Sequence, residues 1–359
     1  MSVNIHFQKD NKLFHQDILK NVREYFQTNA ISDKANGFMY FKSFFYLGVL
    51  TTAYLLLILG GFSLWVNNLL WIVIGLASVF TAVNVGHDAI HGSYSKRKWV
   101  NKLMGHSFSI VGANPYIWSK THNIVHHTYT NIDGHDEDIE SVPFARLSPS
   151  QKWLPIQKYQ YIWLLLLYPL GTLAWVFKKD YVKFFQKKIG NYNNAHHPKR
   201  EYFYLFFFKL LYYFIFIAIP IMMIDMPWYV VFGGFVLGHL FEGFAIAIIF
   251  MLAHVVEKAQ FPIPDPDGLI DQNWAVFQMH TTANFGRKSW LTAFLTGGLN
   301  FQIEHHLFPT VSHVHYPQIS KIIEKSAKEH NVPYYDYPTF FDAFKSHIRL
   351  LKALGANTV

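Results

Sequence analysis

Polar and apolar residues are segregated along this chain into long blocks. From Ser43 to Gly86 there is no Asp, Glu, Lys or Arg, a run of 44 residues. As helix it would extend about 66 Å, roughly two bilayer cores. It must therefore fold back on itself, and Gly60-Gly61 followed by Asn67-Asn68 supplies the turn chemistry. One span is predicted near 42–62 and another near 65–86. A second pair is predicted near 202–224 and 228–253, divided by Asp225-Met226-Pro227-Trp228, where proline and an interfacial tryptophan mark a turn. Lys209, near one end of that pair, is expected to snorkel, whereas His239 and Glu242 near the middle have no such escape. The stretch 161–177 is apolar but only 17 residues long and holds Pro169-Leu170-Gly171. It reads as a buried or interfacial element.

The pattern predicts an all-α integral membrane protein with four transmembrane helices in two hairpins. The divisions are an N-terminal arm (1–41), a first hairpin (42–86), a connecting segment (87–201), a second hairpin (202–253) and a helical cap (254–359). Charge then orients them. The loop inside each hairpin has no Lys or Arg, whereas the arm carries Lys9, Lys12, Lys20, Arg23, Lys34 and, at its edge, Lys42. The connector carries Lys96, Arg97, Lys98, Lys102, Lys120, Lys178, Lys179, Lys183, Lys187 and Lys188. Basic residues favour the cytoplasmic face, so both termini, the connector and the cap are expected there. The net charge of +8 then serves orientation and anionic lipid, with no nucleic acid as partner. The polar start of the chain offers no apolar core for a signal peptide.

Composition narrows the chemistry. Charged residues make up 15%, against about 25% in soluble domains, and aromatics 18%. There is no cysteine, which excludes disulfides, thiolate zinc sites, iron–sulfur clusters and cysteine nucleophiles. Any metal must use nitrogen or oxygen ligands, and the chain has 20 histidines.

Three histidine clusters fall on the face just called cytoplasmic. His87 and His91 follow the second span at i and i+4, on one helical face. His122, His126 and His127 repeat that spacing and add a neighbour. Gln302, His305 and His306 place an amide and an imidazole at i and i+4 with another imidazole between. Seven histidines and a glutamine exceed what one zinc ion, with its three or four protein ligands, can use. A pair of metal ions is the economical reading. Nitrogen donors suit iron, copper, zinc or nickel alike, and attack on unactivated C–H bonds beside a hydrocarbon phase selects a redox metal that activates oxygen.

These elements, in this order and separated by membrane hairpins, resemble the integral-membrane fatty acid desaturases, whose signature is three histidine boxes. The glutamine leading the third box, in Gly-Leu-Asn-Phe-Gln-Ile-Glu-His-His-Leu-Phe-Pro (298–309), resembles the front-end branch, which acts toward the carboxyl end of the chain. The resemblance runs from about Phe80 to Pro317. It implies that the cytoplasmic cap and connector hold two non-haem iron ions through His87, His91, His122, His126, His127, His305 and His306, with Gln302 close by. It also implies a further ligand at the end of the fourth span, here His254. Partners for the outer ring nitrogens are expected among Asp88, Asn123, Asp136, Asp138, His280 and Glu304, although 136–138 also reads as a solvated acidic turn.

Animal and plant front-end enzymes commonly carry a fused cytochrome b5 domain with a His-Pro-Gly-Gly motif, which is missing before His87. The expected donor is therefore an external ferredoxin or cytochrome b5, and the expected membrane the bacterial inner membrane. The implied reaction uses O2 to introduce a cis double bond into a long-chain acyl group carried on lipid or coenzyme A. That chain is expected in a tunnel lined in part by Ala113–Trp118. The competing outcomes are a hydroxylase or ketolase with the same metals, and, from another class, a non-enzymatic haem carrier or metal transporter.

Overall fold

The computed structural model of the protein describes residues 4–9, 13–140, 142 and 144–359. Lys12, counted above in the basic arm, lies outside them. The chain is mostly helical. Helix α1 (Leu13–Thr28) is followed by α2 (Gly37–Leu59), α3 (Leu64–Ile90), α4 (Pro155–Phe185), α5 (Lys199–Met223) and α6 (Trp228–His254). Helices α7 (Tyr316–Glu329) and α8 (Phe340–Ala356) come last. Strands among the described residues are two-residue pairs, such as Asn284–Phe285 running parallel to Asp336–Tyr337.

Five helices, α2 to α6, are long and apolar enough to cross a membrane. Side chains such as Phe44, Trp65, Phe203 and Leu210 stand exposed on their outer faces, where water would penalise them and lipid would not. Asn36 starts α2 by accepting the Met39 N–H, and Gly61, at φ +57°, turns the chain toward α3. Because α2 begins before Lys42, that lysine sits inside the helix and is fully buried, its Nζ 2.9 Å from His313 Nε2.

Small residues set the helix spacing. A Cβ on Gly75 of α3 would lie 2.2 Å from the carbonyl oxygen of Gly238 on α6, so this backbone contact exists only because both are glycine. The α3–α6 pair matters because α3 ends in the first histidine cluster and α6 ends at His254.

Helix α4 contains the apolar stretch 161–177. Near its start, Gln160 donates to the carbonyl of Leu351 in α8. Near its end, Asp180 accepts from the Asn114 N–H and Lys183 pairs with Glu137. The start of α4 is thus held by α8, and its end by segments on either side of the second histidine cluster. In the middle, the helix tightens at Tyr168–Leu170, and Thr172 donates to the carbonyl of His239.

Lys209 does not snorkel. It is buried, 2.8 Å from Asp180, and also donates to the carbonyls of Gly112 and Trp175. A fixed carboxylate and backbone dipoles compensate its charge inside the protein. His239 accepts from or donates to Tyr212 (2.7 Å) and Thr172 (3.0 Å) and stands 3.3 Å from Glu242, so the mid-span polar pair is a buried network.

The polar side is closed by two cores. Phe14, Ile18 and Val22 of α1 pack with Ile319 and Ile323 of α7. Leu350, Leu351 and Leu354 of α8 pack with Leu164 of α4 and Leu252 of α6. Together they cover the histidines.

Candidate metal centre

Each histidine cluster is presented by a distinct local geometry. Helix α3 takes a π turn over Ala82–Gly86 and returns to α form at His87, so His87 and His91 share a face, ring centroids 4.7 Å apart. The second cluster lies on a π turn over Lys120–His126, where the His127 N–H bonds back to the His122 carbonyl, five residues away. That wider turn brings i+4 and i+5 to the same side. His126 stacks on His122 at 5.1 Å, and His127 Nε2 comes within 3.2 Å of His122 Nε2. The third cluster lies on the short helix Gln302–Leu307.

The clusters converge from distant stretches of chain. One ring nitrogen each from His87, His91, His122 and His305 fall within 4.8 Å of one another, and so do those of His126, His254 and His306. His127 lies between the two sets, its ring 4.6 Å from His305 and 4.3 Å from His306. Gln302 Nε2 reaches His254 Nε2 at 2.8 Å, and its Oε1 is buried without a partner. All seven box histidines, His254 and Gln302 are buried.

Hydrogen bonds fix which nitrogen is free. An ionised carboxylate, an amide oxygen and a backbone carbonyl only accept, so a ring nitrogen facing one carries the proton. Asp136 therefore takes the Nδ1–H of His126 at 3.0 Å, Gln278 Oε1 that of His306 at 2.7 Å, and the Thr281 carbonyl that of His254 at 3.3 Å. Their three Nε2 atoms then turn inward, toward one another and toward Gln302 Nε2. In the other set, Nε2 of His87, His91 and His305 is buried with no hydrogen-bond partner. Burial of so many lone pairs costs free energy unless something accepts them. Two groups of inward-turned, buried imidazole nitrogens fit two cations with nitrogen-binding chemistry.

Electrostatics agree. Burial, reinforced by neighbouring imidazoles, holds His122, His127, His305 and His306 well below the ordinary histidine range, hence neutral and ligating at neutral pH. His126 is the exception. Burial opposes its charge, but Asp136 and Asp138 outweigh that and raise it to about 9. This end of the site favours one positive charge, which a bound cation supplies in place of the proton.

The expected outer partners divide. Asp136 and Asp138 both face His126, the latter at 3.4 Å; Asp136 is buried and accepts backbone N–H groups from Asn131 and Asp138, so this is no solvated turn. Asp88 faces Ser312 and His313, Asn123 donates to the Ile90 carbonyl, and Glu304 accepts from Tyr334 and Asn284. None of these three touches a box imidazole. His280 stands apart beside Tyr335.

Three residues that do hold the site went unread in the sequence. Gln278 bridges the His306 ring to the carbonyl of His127. Asn131, at φ +60°, gives its N–H to Asp136 and its side chain to the His254 carbonyl. Tyr316 OH lies 3.2 Å from His305 Nδ1. Nothing in their spacing marks them. Only Asn131, four residues after His127, has the residue type that favours a left-handed turn.

Beside the site, a cavity of about 190 Å³ extends from His122 between α4 and α6, lined by residues including Trp118, Gly171, Trp175, Ile246 and Phe250. Trp118 stacks on His122 with centroids 4.1 Å apart.

The model of the fatty acid desaturase family matches residues 63–338 of this chain. The chain belongs to the fatty acid desaturase family. This desaturase is an oxidoreductase, as the names of its relatives also indicate. It is 35% identical over 354 residues to an acyl-lipid (8-3)-desaturase of Physcomitrium patens, covering 96% of this chain and 72% of that one. It is 33% identical over 345 residues to an sn-1 linoleoyl-lipid 6-desaturase of Arthrospira platensis, covering 96% and 93%. An acyl-lipid (8-3)-desaturase of Mortierella alpina is 31% identical over 350 residues, covering 96% and 78%.

Proposed function

We propose that the enzyme is a front-end acyl-lipid desaturase, introducing a cis double bond toward the carboxyl end of a long-chain acyl group. The observation that carries the reading is the pair of inward-facing nitrogen sets beside an apolar cavity, in a chain whose relatives are named for acyl-lipid 6- and (8-3)-desaturation. The ligands are His87, His91, His122 and His305 for one iron ion and His126, His254 and His306 for the other, with His127 between them and Gln302 adjacent. When bound and reduced, two iron ions supply the oxidising power, with O2, to take two hydrogens from adjacent methylenes; two electrons from an external ferredoxin or cytochrome b5 and two protons complete two waters.

The chain's own residues bind, orient and exclude. Asp136, Gln278 and the Thr281 carbonyl fix three imidazoles with Nε2 inward. The acyl chain lies along Trp118 and between α4 and α6, in a space walled mainly by apolar residues such as Leu167, Ile246 and Phe250, with Glu137, Asp138, Lys179, Asp180 and Lys183 also in its lining. Four helices span the bilayer, α2, α3, α5 and α6, while α4 enters and leaves on the histidine side, a reading supported by the contact of its start with the cap and of its end with the connector around the second histidine cluster. Both termini then lie in the cytoplasm, in keeping with the basic arm and connector. The relatives include eukaryotic proteins and do not favour a bacterial inner membrane.

Gas chromatography with mass spectrometry of lipids from an expressing host, supplied with several fatty acids, tests the reading. A new cis double bond on a lipid-bound chain is expected. A hydroxylated or keto product without one would overturn it in favour of another outcome of the same metals. His126→Ala is expected to abolish product with membrane insertion intact.

A further inference from the structure

A second cavity, of about 360 Å³, lies on the other side of the short helix Pro115–Ser119 from the acyl cavity. Ile117 and Trp118 of that helix line the acyl cavity, whereas Pro115, Tyr116 and Ser119 line the second one. Ala89, Ile90 and Gly92, the chain neighbours of His91, complete its inner wall. The two cavities therefore lie on opposite sides of this one short helix, the first reaching His122 and the second reaching the chain neighbours of His91.

The outer wall differs in kind. It comprises Lys98 and Lys102, one turn apart on the helix Lys98–Gly105, with His106, Tyr204 and Glu201. Among the described residues neither lysine has a carboxylate partner within the chain, while Glu201 is paired with Arg200 at 3.0 Å. His106 stacks on Phe208 and keeps a buried Nδ1 without a hydrogen bond. On the same short helix Trp99 and Leu103 are 63% and 61% exposed. A helix with cations toward a cavity and Trp and Leu outward fits the level of lipid head groups.

We propose that this cavity holds the phosphorylated head group of a glycerolipid, entering sideways from the bilayer, whose acyl chain passes the histidines at Trp118 and ends in the apolar cavity. The proposal rests on the desaturase reading and deepens it. A front-end reaction requires the carboxyl end to be anchored only a few bonds from the metals, and the second cavity begins one residue from His91. Lys98 and Lys102 supply the charge, and the exposed Trp99 and Leu103 favour a bilayer lipid over a soluble thioester.

The test uses the full chain in phosphatidylcholine nanodiscs containing a few per cent phosphatidylglycerol, with retained lipid counted by native mass spectrometry. Wild-type protein is expected to retain phosphatidylglycerol selectively. Charge reversal in K98E/K102E should lower that retention by about tenfold, and K98Q/K102Q by less, with iron content unchanged. K321E/K325E, on exposed α7, should leave it unaltered. Equal retention by wild type and K98E/K102E would overturn the proposal and leave the lysines as orienting charges. Displacement of phosphatidylglycerol by palmitoyl-coenzyme A but not by excess phosphatidylcholine would overturn the lipid as occupant. If wild-type protein gives no unsaturated product from any carrier, the desaturase reading fails, and lipid retention still decides the head-group site.

Discussion

Asp136 holds His126 with both carboxylate oxygens, at 3.0 and 3.1 Å from Nδ1, in a position where neither residue is exposed. This fixes the tautomer that turns Nε2 inward and favours a cation there. Asp136→Asn keeps the shape and removes the charge. Metal affinity should fall by about 10- to 100-fold, read as iron per chain under limiting iron, with only a small change in thermal midpoint. Full iron loading in the variant would count against the role.

Gln278 ties the His306 ring to the His127 backbone. In Gln278→Leu both partners lose their bond inside the protein, at a cost of about 1–3 kcal/mol for each buried group left unsatisfied. The expected result is lower iron content and a lower thermal midpoint together. Gln278→Glu, which restores the acceptor for His306, should recover iron binding more than stability.

The α3–α6 contact is a sharp steric test. Gly75→Val would drive a side chain into the Gly238 carbonyl and separate the helices that deliver His87 and His254. It should eliminate iron loading, or folded protein altogether. Gly233→Ala, where an added Cβ meets nothing within 4 Å, should behave as wild type.

Lys209 and Asp180 form a buried pair. Removing one partner leaves an uncompensated charge, so Lys209→Met should destabilise by about 3–5 kcal/mol. The double variant K209M/D180L should recover part of that loss. Additive losses in thermal unfolding would show that the pair does not act as a unit.

The metal-free protein should lose stability in acid. His122, His127, His305 and His306 are held well below 6.5 when folded, and His347, buried in α8, is lowered to about 4. The unfolded chain takes up these protons near 6.5 and the folded chain resists them, so stability is present above 6.5 and is lost as pH falls below it. His126 and Glu304 are among the groups that act in the other sense. The contribution of His126, raised to about 9, is full below 6.5 and lost as pH rises through 9. That of Glu304, raised to about 7 by burial, is full below 4.5 and lost as pH rises through 7. The depressed histidines, with His91 and His313 adding to the five named, dominate between pH 6.5 and 5, so the midpoint of metal-free protein should drop there. A flat profile would contradict the buried, neutral state of the cluster.

The sequence by itself determined apolar helices near 42–62, 65–86, 202–224 and 228–253 and the three histidine clusters, because bilayer length and helical spacing are local properties written in a few consecutive residues. It did not determine how α4 is used, since an apolar run of marginal length reads the same whether it crosses, dips or lies flat. Only the tertiary structure decided that Lys42 and Lys209 are buried, because their compensating partners, His313 and Asp180, are distant in the chain. It also decided that Gln278, Asn131 and Tyr316 hold the imidazoles, whereas Asp88, Asn123 and Glu304 brace the helices around them. A ligand spacing is set by one turn of backbone. The partner of the outer ring nitrogen is set by whichever element packs against that turn, and packing is a property of the whole chain.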